Sequence, residues 1–61
     1  MYRIIAFAGG NEYQAMTRDF RSALDITKKS RTQANSIRVL NEKGQCVITY
    51  LKGLGLGLNA F

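Results

Sequence analysis

The chain has no histidine, a single cysteine and only four acidic residues in 61. Each shortage closes off a kind of chemistry. Acid–base catalysis near neutral pH leans on groups that titrate there, and histidine is the usual one. A cysteine nucleophile needs a neighbouring base or cation, and Cys46 has no histidine to serve it. Asp19 and Asp25 do not share a helix stripe, so no carboxylate dyad is suggested. One thiol and scattered carboxylates do not assemble a zinc cage. The expectation is a protein that is not an enzyme and uses no cofactor and no metal.

The lone cysteine also rules out an intrachain disulfide and fits a reducing compartment, with Cys46 reading as a small apolar strand residue. No apolar run approaches the ~18–20 residues of a spanning helix. Arg3 followed by Ile4, Ile5, Ala6, Phe7 and Ala8 mimics an export signal, but falls short of the ~7–15 apolar residues one needs. A cytoplasmic location is expected, with no membrane partner.

What remains is small and basic. A chain of 61 residues holds one domain, and such a domain buries only ~60% of the surface its unfolded form exposes. Without disulfides or metals, self-association as a homodimer is the expected support. Nine Lys and Arg against four Asp and Glu leave a charge of +5. That field attracts phosphate backbones, acidic proteins and anionic surfaces alike, and it also keeps a small domain soluble.

Periodicity and turn chemistry predict α+β: an antiparallel sheet of two hairpins with one helix packed on one face, in the order ββαββ. Tyr2 to Ala8 reads as a strand, Gly9-Gly10-Asn11 as a tight turn, and Glu12 to Thr17 as a second strand. Thr17 or Asp19 can cap a helix. Phe20, Ala23, Leu24 and Thr27 then form one apolar stripe, with Ile26 at its edge. Asp25 and Lys29 have the favourable acid-before-base spacing for an ion pair. Ile37 to Leu40 and Gln45 to Leu51 make a second hairpin around Asn41-Glu42-Lys43-Gly44. The domain is expected over residues 1–52. The Gly/Leu-rich tail over 53–61 is expected to be mobile, to pair with another chain, or to fold back over the sheet. Its glycines lack the spacing and the following helix of a phosphate-binding loop.

One helix covers one sheet face, yet both faces of the first strand are apolar: Ile4, Ala6 and Ala8 on one, Ile5 and Phe7 on the other. The uncovered face is expected to meet a partner. Candidate interface residues in the sheet are Tyr2, Phe7, Tyr13, Arg38 and Tyr50, with Arg3 joining them if that face is basic and aromatic. Arg18, Arg21, Lys28 and Lys29 on the outer helix surface, with Arg31 at its end, are the candidate nucleic-acid or partner-binding set. A solvated helix face is the plain alternative, and Asp25 in its middle favours it.

The segments Tyr2-Arg3-Ile4-Ile5-Ala6-Phe7, Thr17-Arg18-Asp19-Phe20-Arg21-Ser22-Ala23-Leu24 and Ser36-Ile37-Arg38-Val39-Leu40-Asn41-Glu42-Lys43-Gly44 fill a hairpin–helix–hairpin plan. In that plan the chain resembles small phage-encoded inhibitors of host machinery, such as some type I anti-CRISPR proteins and, more loosely, phage inhibitors of bacterial RNA polymerase. The resemblance is one of architecture over roughly residues 2 to 52 and carries no functional residues across. It implies a non-catalytic blocker that docks on a host protein or nucleoprotein complex. The alternatives are a DNA- or RNA-binding regulator that uses the basic helix face, and a membrane-active small toxin. Cations spread over several elements weigh against the last.

Overall fold

The computed structural model describes residues 1–58. Its elements run β1 (Tyr2–Ala8), β2 (Asn11–Thr17), α1 (Phe20–Ser30), β3 (Ser36–Leu40), β4 (Cys46–Leu51) and β5 (Gly55–Leu58). The strands form one antiparallel sheet in the order β2-β1-β3-β4-β5. The α+β class and the single helix stand as expected. The order is ββαβββ rather than ββαββ.

The first hairpin turns on Gly9 and Gly10, at φ 60° and 82°. Both lie in the left-handed region that a two-residue type I′ turn requires and that a Cβ would penalise. The helix opens at Asp19, whose carboxylate accepts the Ser22 amide at 2.7 Å. That bond satisfies one of the unpaired amides of the first turn. It also holds the Asp19 carboxyl below the usual aspartate range, through the Ser22 hydrogen bonds first and the nearby Arg21 charge last. Lys28 and Lys29 occupy the last turn, where cations complement the helix dipole. Among the described residues Asp25 and Lys29 form no ion pair, contrary to their spacing. Both are solvent-exposed side chains, for which such pairs are worth only a few tenths of a kcal/mol.

The second turn is built around Asn41. Its side-chain oxygen accepts from the Lys43 and Gln45 amides, both at 2.9 Å. Just before it the ladder slips: Leu40 pairs with Cys46 and Val39 with Ile48, so Val47 is an extra residue in β4. This bulge explains why the neighbours Val47 and Ile48 are both buried, against the alternation of a regular strand.

The core lies between α1 and one sheet face. Ile4, Ala23, Ala34, Ile37, Val39, Val47 and Ile48 are buried, with Tyr2, Ala6, Phe20, Leu24, Ile26, Tyr50 and Leu56 packed against them. The Tyr2 and Phe20 rings meet edge to face with centroids 5.9 Å apart. Thr27, fully buried on the helix stripe, donates its hydroxyl to the Ala23 carbonyl at 2.8 Å and so carries no unmet polar group inward.

The tail departs most from expectation. Residues 55–58 pair with β4 of the same chain instead of remaining mobile, joining another chain or lying over the sheet. A turn from Leu51 to Leu54, with Gly53 at φ 91°, makes the reversal possible. The open edge of β4 then supplies the backbone partners that offset the low strand propensity of glycine. Leu56 reaches the core, whereas Leu54 stays in the turn and is exposed. The last three residues of the tail, 59–61, lie outside the described residues.

Candidate partner-binding surfaces

Pairing register decides which side chains share a face, because residues directly opposite each other point the same way. On the helix side, Ile4 is matched with Ala15 and Val39, Ala6 with Tyr13 and Ile37, and Ile37 with Tyr50. Tyr2, Tyr13 and Tyr50 therefore all belong to the helix-covered face. Tyr2 and Tyr50 flank the core, and Tyr13 stands near the margin with 57% of its surface exposed. Phe7 and Arg38 belong to the opposite face. The five candidate sheet residues thus do not form one surface.

The open face has a definite composition. Across β2, β1 and β3, Met16 lies beside Arg3 and Leu40, Gln14 beside Ile5 and Arg38, and Glu12 beside Phe7 and Ser36. Thr49 and Leu51 continue the last two rows into β4. Phe7 is 42% exposed, Leu51 43% and Met16 59%. These apolar groups surround Arg3 and Arg38, which are exposed and sit diagonally across neighbouring strands. Among the described residues neither arginine has an ion pair. Two hollows mark this face. One, of about 290 Å³, lies between Phe7, Arg38 and Leu51. The other, of about 310 Å³, lies between Arg3, Met16 and Leu40.

The nearby acids are already engaged. Glu12 accepts a hydrogen bond from the Gln14 amide at 2.7 Å. Glu42 pairs with the N-terminal ammonium of Met1, and that bond and charge hold its carboxyl below the usual glutamate range. Cys46 is half-buried, with its sulfur 3.4 Å from the Ile48 carbonyl and 3.3 Å from the Thr49 hydroxyl. The open face accordingly carries exposed apolar groups around two guanidiniums that have no ion pair among the described residues.

The basic helix candidates are all exposed but do not form an unbroken patch. Arg18 precedes the cap and lines a cleft of about 610 Å³ with Tyr2, Asn41, Glu42, Lys43 and Gln45. Arg21 follows at the same end. Lys28, Lys29 and Arg31 lie toward the other end of an 11-residue helix, roughly 10–15 Å from Arg21 along its axis, with Asp25 between. Arg21 and Lys28 do share an outward stripe, the nearest the helix comes to a continuous basic track.

Sequence reasoning put Ile5 and Phe7 together on one face of β1, without deciding which face the helix covers, and did not name Met16, Leu40 and Leu51. Met16 follows from the register of the first hairpin, whereas Leu40 and Leu51 require knowing that β1 lies beside β3. No protein-family model matches the chain, and neither does any curated protein or solved structure. Among the described residues no helix is long and apolar enough to cross a membrane.

Proposed function

We propose that the chain is a non-catalytic binding protein whose open sheet face docks on a protein surface of a host nucleoprotein complex. It would act in the cytoplasm as a phage or mobile-element inhibitor. One observation carries this reading: among the described residues Arg3 and Arg38 have no ion pair, and they stand among Ile5, Phe7, Met16, Leu40 and Leu51 on the face that the helix leaves open. Aromatic, methionine and arginine side chains are the types enriched in protein interfaces. Binding to bare single-stranded nucleic acid favours several stacking aromatics along a cationic groove, and among the described residues this face offers one, Phe7. The two arginines call for an acidic site on the partner. An inhibitor of this kind would block a subunit contact or cover an acidic patch, rather than imitate nucleic acid.

A second reading rests on the Arg21 and Lys28 stripe with Lys29 and Arg31 nearby, which suits a DNA- or RNA-binding regulator. The two are separated by capture from bacterial extract on the immobilised protein, with and without nuclease treatment. Wild type is compared with a sheet variant, F7S/R38E, and a helix variant, K28E/K29E, each checked for its fold by circular dichroism. The proposal expects one defined complex, kept by the helix variant and lost by the sheet variant. The reverse pattern would overturn it in favour of the regulator.

A further inference from the structure

The sheet has two edges of different character. On one side β5 is four residues long and half glycine. On the other, β2 runs seven residues, NEYQAMT, paired to β1 throughout without a bulge. It contains no lysine, arginine or proline and no bulge, so that Glu12 is its one feature of the kind that keeps a bare strand edge from pairing. Its phase is fixed. A two-residue hairpin turn closes on a pair of residues that exchange both backbone hydrogen bonds, here Ala8 and Asn11. Stepping by twos, Tyr13, Ala15 and Thr17 also bond toward β1. Glu12, Gln14 and Met16 turn their amides and carbonyls outward. The bond from the Asn35 amide to the Phe7 carbonyl, 2.7 Å long on the far side of β1, has the phase this requires.

We infer that β2 is a homodimer edge, pairing antiparallel with β2 of a second copy about a two-fold axis through Gln14. This register alone overlaps all seven residues, and it places the outward groups in bonding positions. Gln14 meets Gln14 of the second copy, and Glu12 meets Met16, giving about six ladder hydrogen bonds. The strand is self-complementary in charge as well: its sole ionised group, Glu12, faces a methionine and not another glutamate. On the helix side, exposed Tyr13 faces Ala15 of the second copy, which has room for the ring. An isologous pairing of this kind closes on itself. It continues the sheet across both copies, with the two open faces on the same side, so the surface carrying Arg3 and Arg38 is doubled. The dimer does not depend on the identity of any docking partner.

The test is sedimentation of the purified chain over a concentration series, with amide hydrogen exchange on the same samples. The expected species has twice the 6.8 kDa chain mass, with slowed exchange at the amides of Glu12, Gln14 and Met16. Gln14→Lys would set two lysines directly opposite each other, their Cα atoms roughly 5.5 Å apart across the axis, and weaken the dimer about tenfold or more. Gln14→Pro removes an outward amide and gives the same result. If the proline variant loses its fold, the lysine variant decides. Phe7→Ser, on the open face, leaves the dimer intact. A monomer at all concentrations would overturn the inference. So would a dimer unmoved by Gln14→Lys, outward amides that exchange freely in the dimer, or a ladder of larger species from pairing of β2 with β5.

Discussion

The two faces of this sheet are made by the same strands and have opposite fates. In β1 and β3, Ile4, Ile37 and Val39 are sealed against the helix, whereas Ile5, Phe7, Arg38 and Leu40 one step along remain open to solvent to varying degrees. Apolar character alone does not separate the two sets, since isoleucine stands in both. The difference is that an 11-residue helix can cover only one side. A domain this small therefore leaves apolar groups it cannot bury alone, and in the proposed function the arginines among them select an acidic partner.

Substitution on matched positions of the two faces should expose the contrast most strongly. Ile48→Ala removes a fully buried side chain and should cost about 2–4 kcal/mol in urea unfolding followed by circular dichroism. For a chain of this length, with a total stability of roughly 3–9 kcal/mol, that is a large share of the total. Ile5→Ala on the open face should cost under about 1 kcal/mol. Equal losses would mean the open face is packed in the monomer.

The tail gives a smaller but sharper comparison. Leu56→Ser should destabilise by about 1–2 kcal/mol, because Leu56 packs on the core. Leu54→Ser, at a position 83% exposed, should fall within about 0.5 kcal/mol of wild type. If both are neutral, β5 contributes nothing to the fold.

Charge on the open face should act in the other direction. Arg38→Gln removes one of two neighbouring guanidiniums and should stabilise the isolated domain by about 0.2–0.5 kcal/mol, more at low salt than at high. The same change should weaken docking. Function and stability would thus be opposed at this residue, which a residue retained for folding would not show.

The smallest effect concerns pH. Asp19 titrates lower in the folded chain than an ordinary aspartate, through its bonds to Ser22. Its contribution is therefore fully present above the unfolded pKa and is lost as pH falls through the lower folded value. Thermal midpoints measured from neutral to strongly acidic pH should show this loss in wild type and a flatter acid limb in Asp19→Ala.

Local chemistry made much of this architecture readable from sequence. The bounds of β1, the Gly9-Gly10 turn, the Asp19 cap with its Phe20, Ala23, Leu24 and Thr27 stripe, and the Asn41 turn all follow from signals within a few residues. What escaped depends largely on distant pairing. In sequence the three tyrosines group with Phe7 and Arg38 because each sits in a strand. Alternation along β1 and the first hairpin separate Tyr2 and Tyr13 from Phe7, and the faces of Tyr50 and Arg38 follow once β1 lies beside β3. The tail was misread for a related reason. Glycine's poor strand propensity is a local cost, and the partner that offsets it, the free edge of β4, becomes visible only when the sheet is assembled. The helix cations were each exposed as expected, although Asp25 divides them.

The central claim is that the open sheet face, and not the helix, is the binding surface. Its most direct test is titration of the purified protein into fluorescent duplex DNA, single-stranded DNA and RNA at low and moderate salt, beside the K28E/K29E variant. The account predicts weak binding at low salt only, of the kind any chain with a +5 charge shows, vanishing at moderate salt. Tight binding that persists at moderate salt and is abolished in the variant would contradict it and make the helix the functional surface.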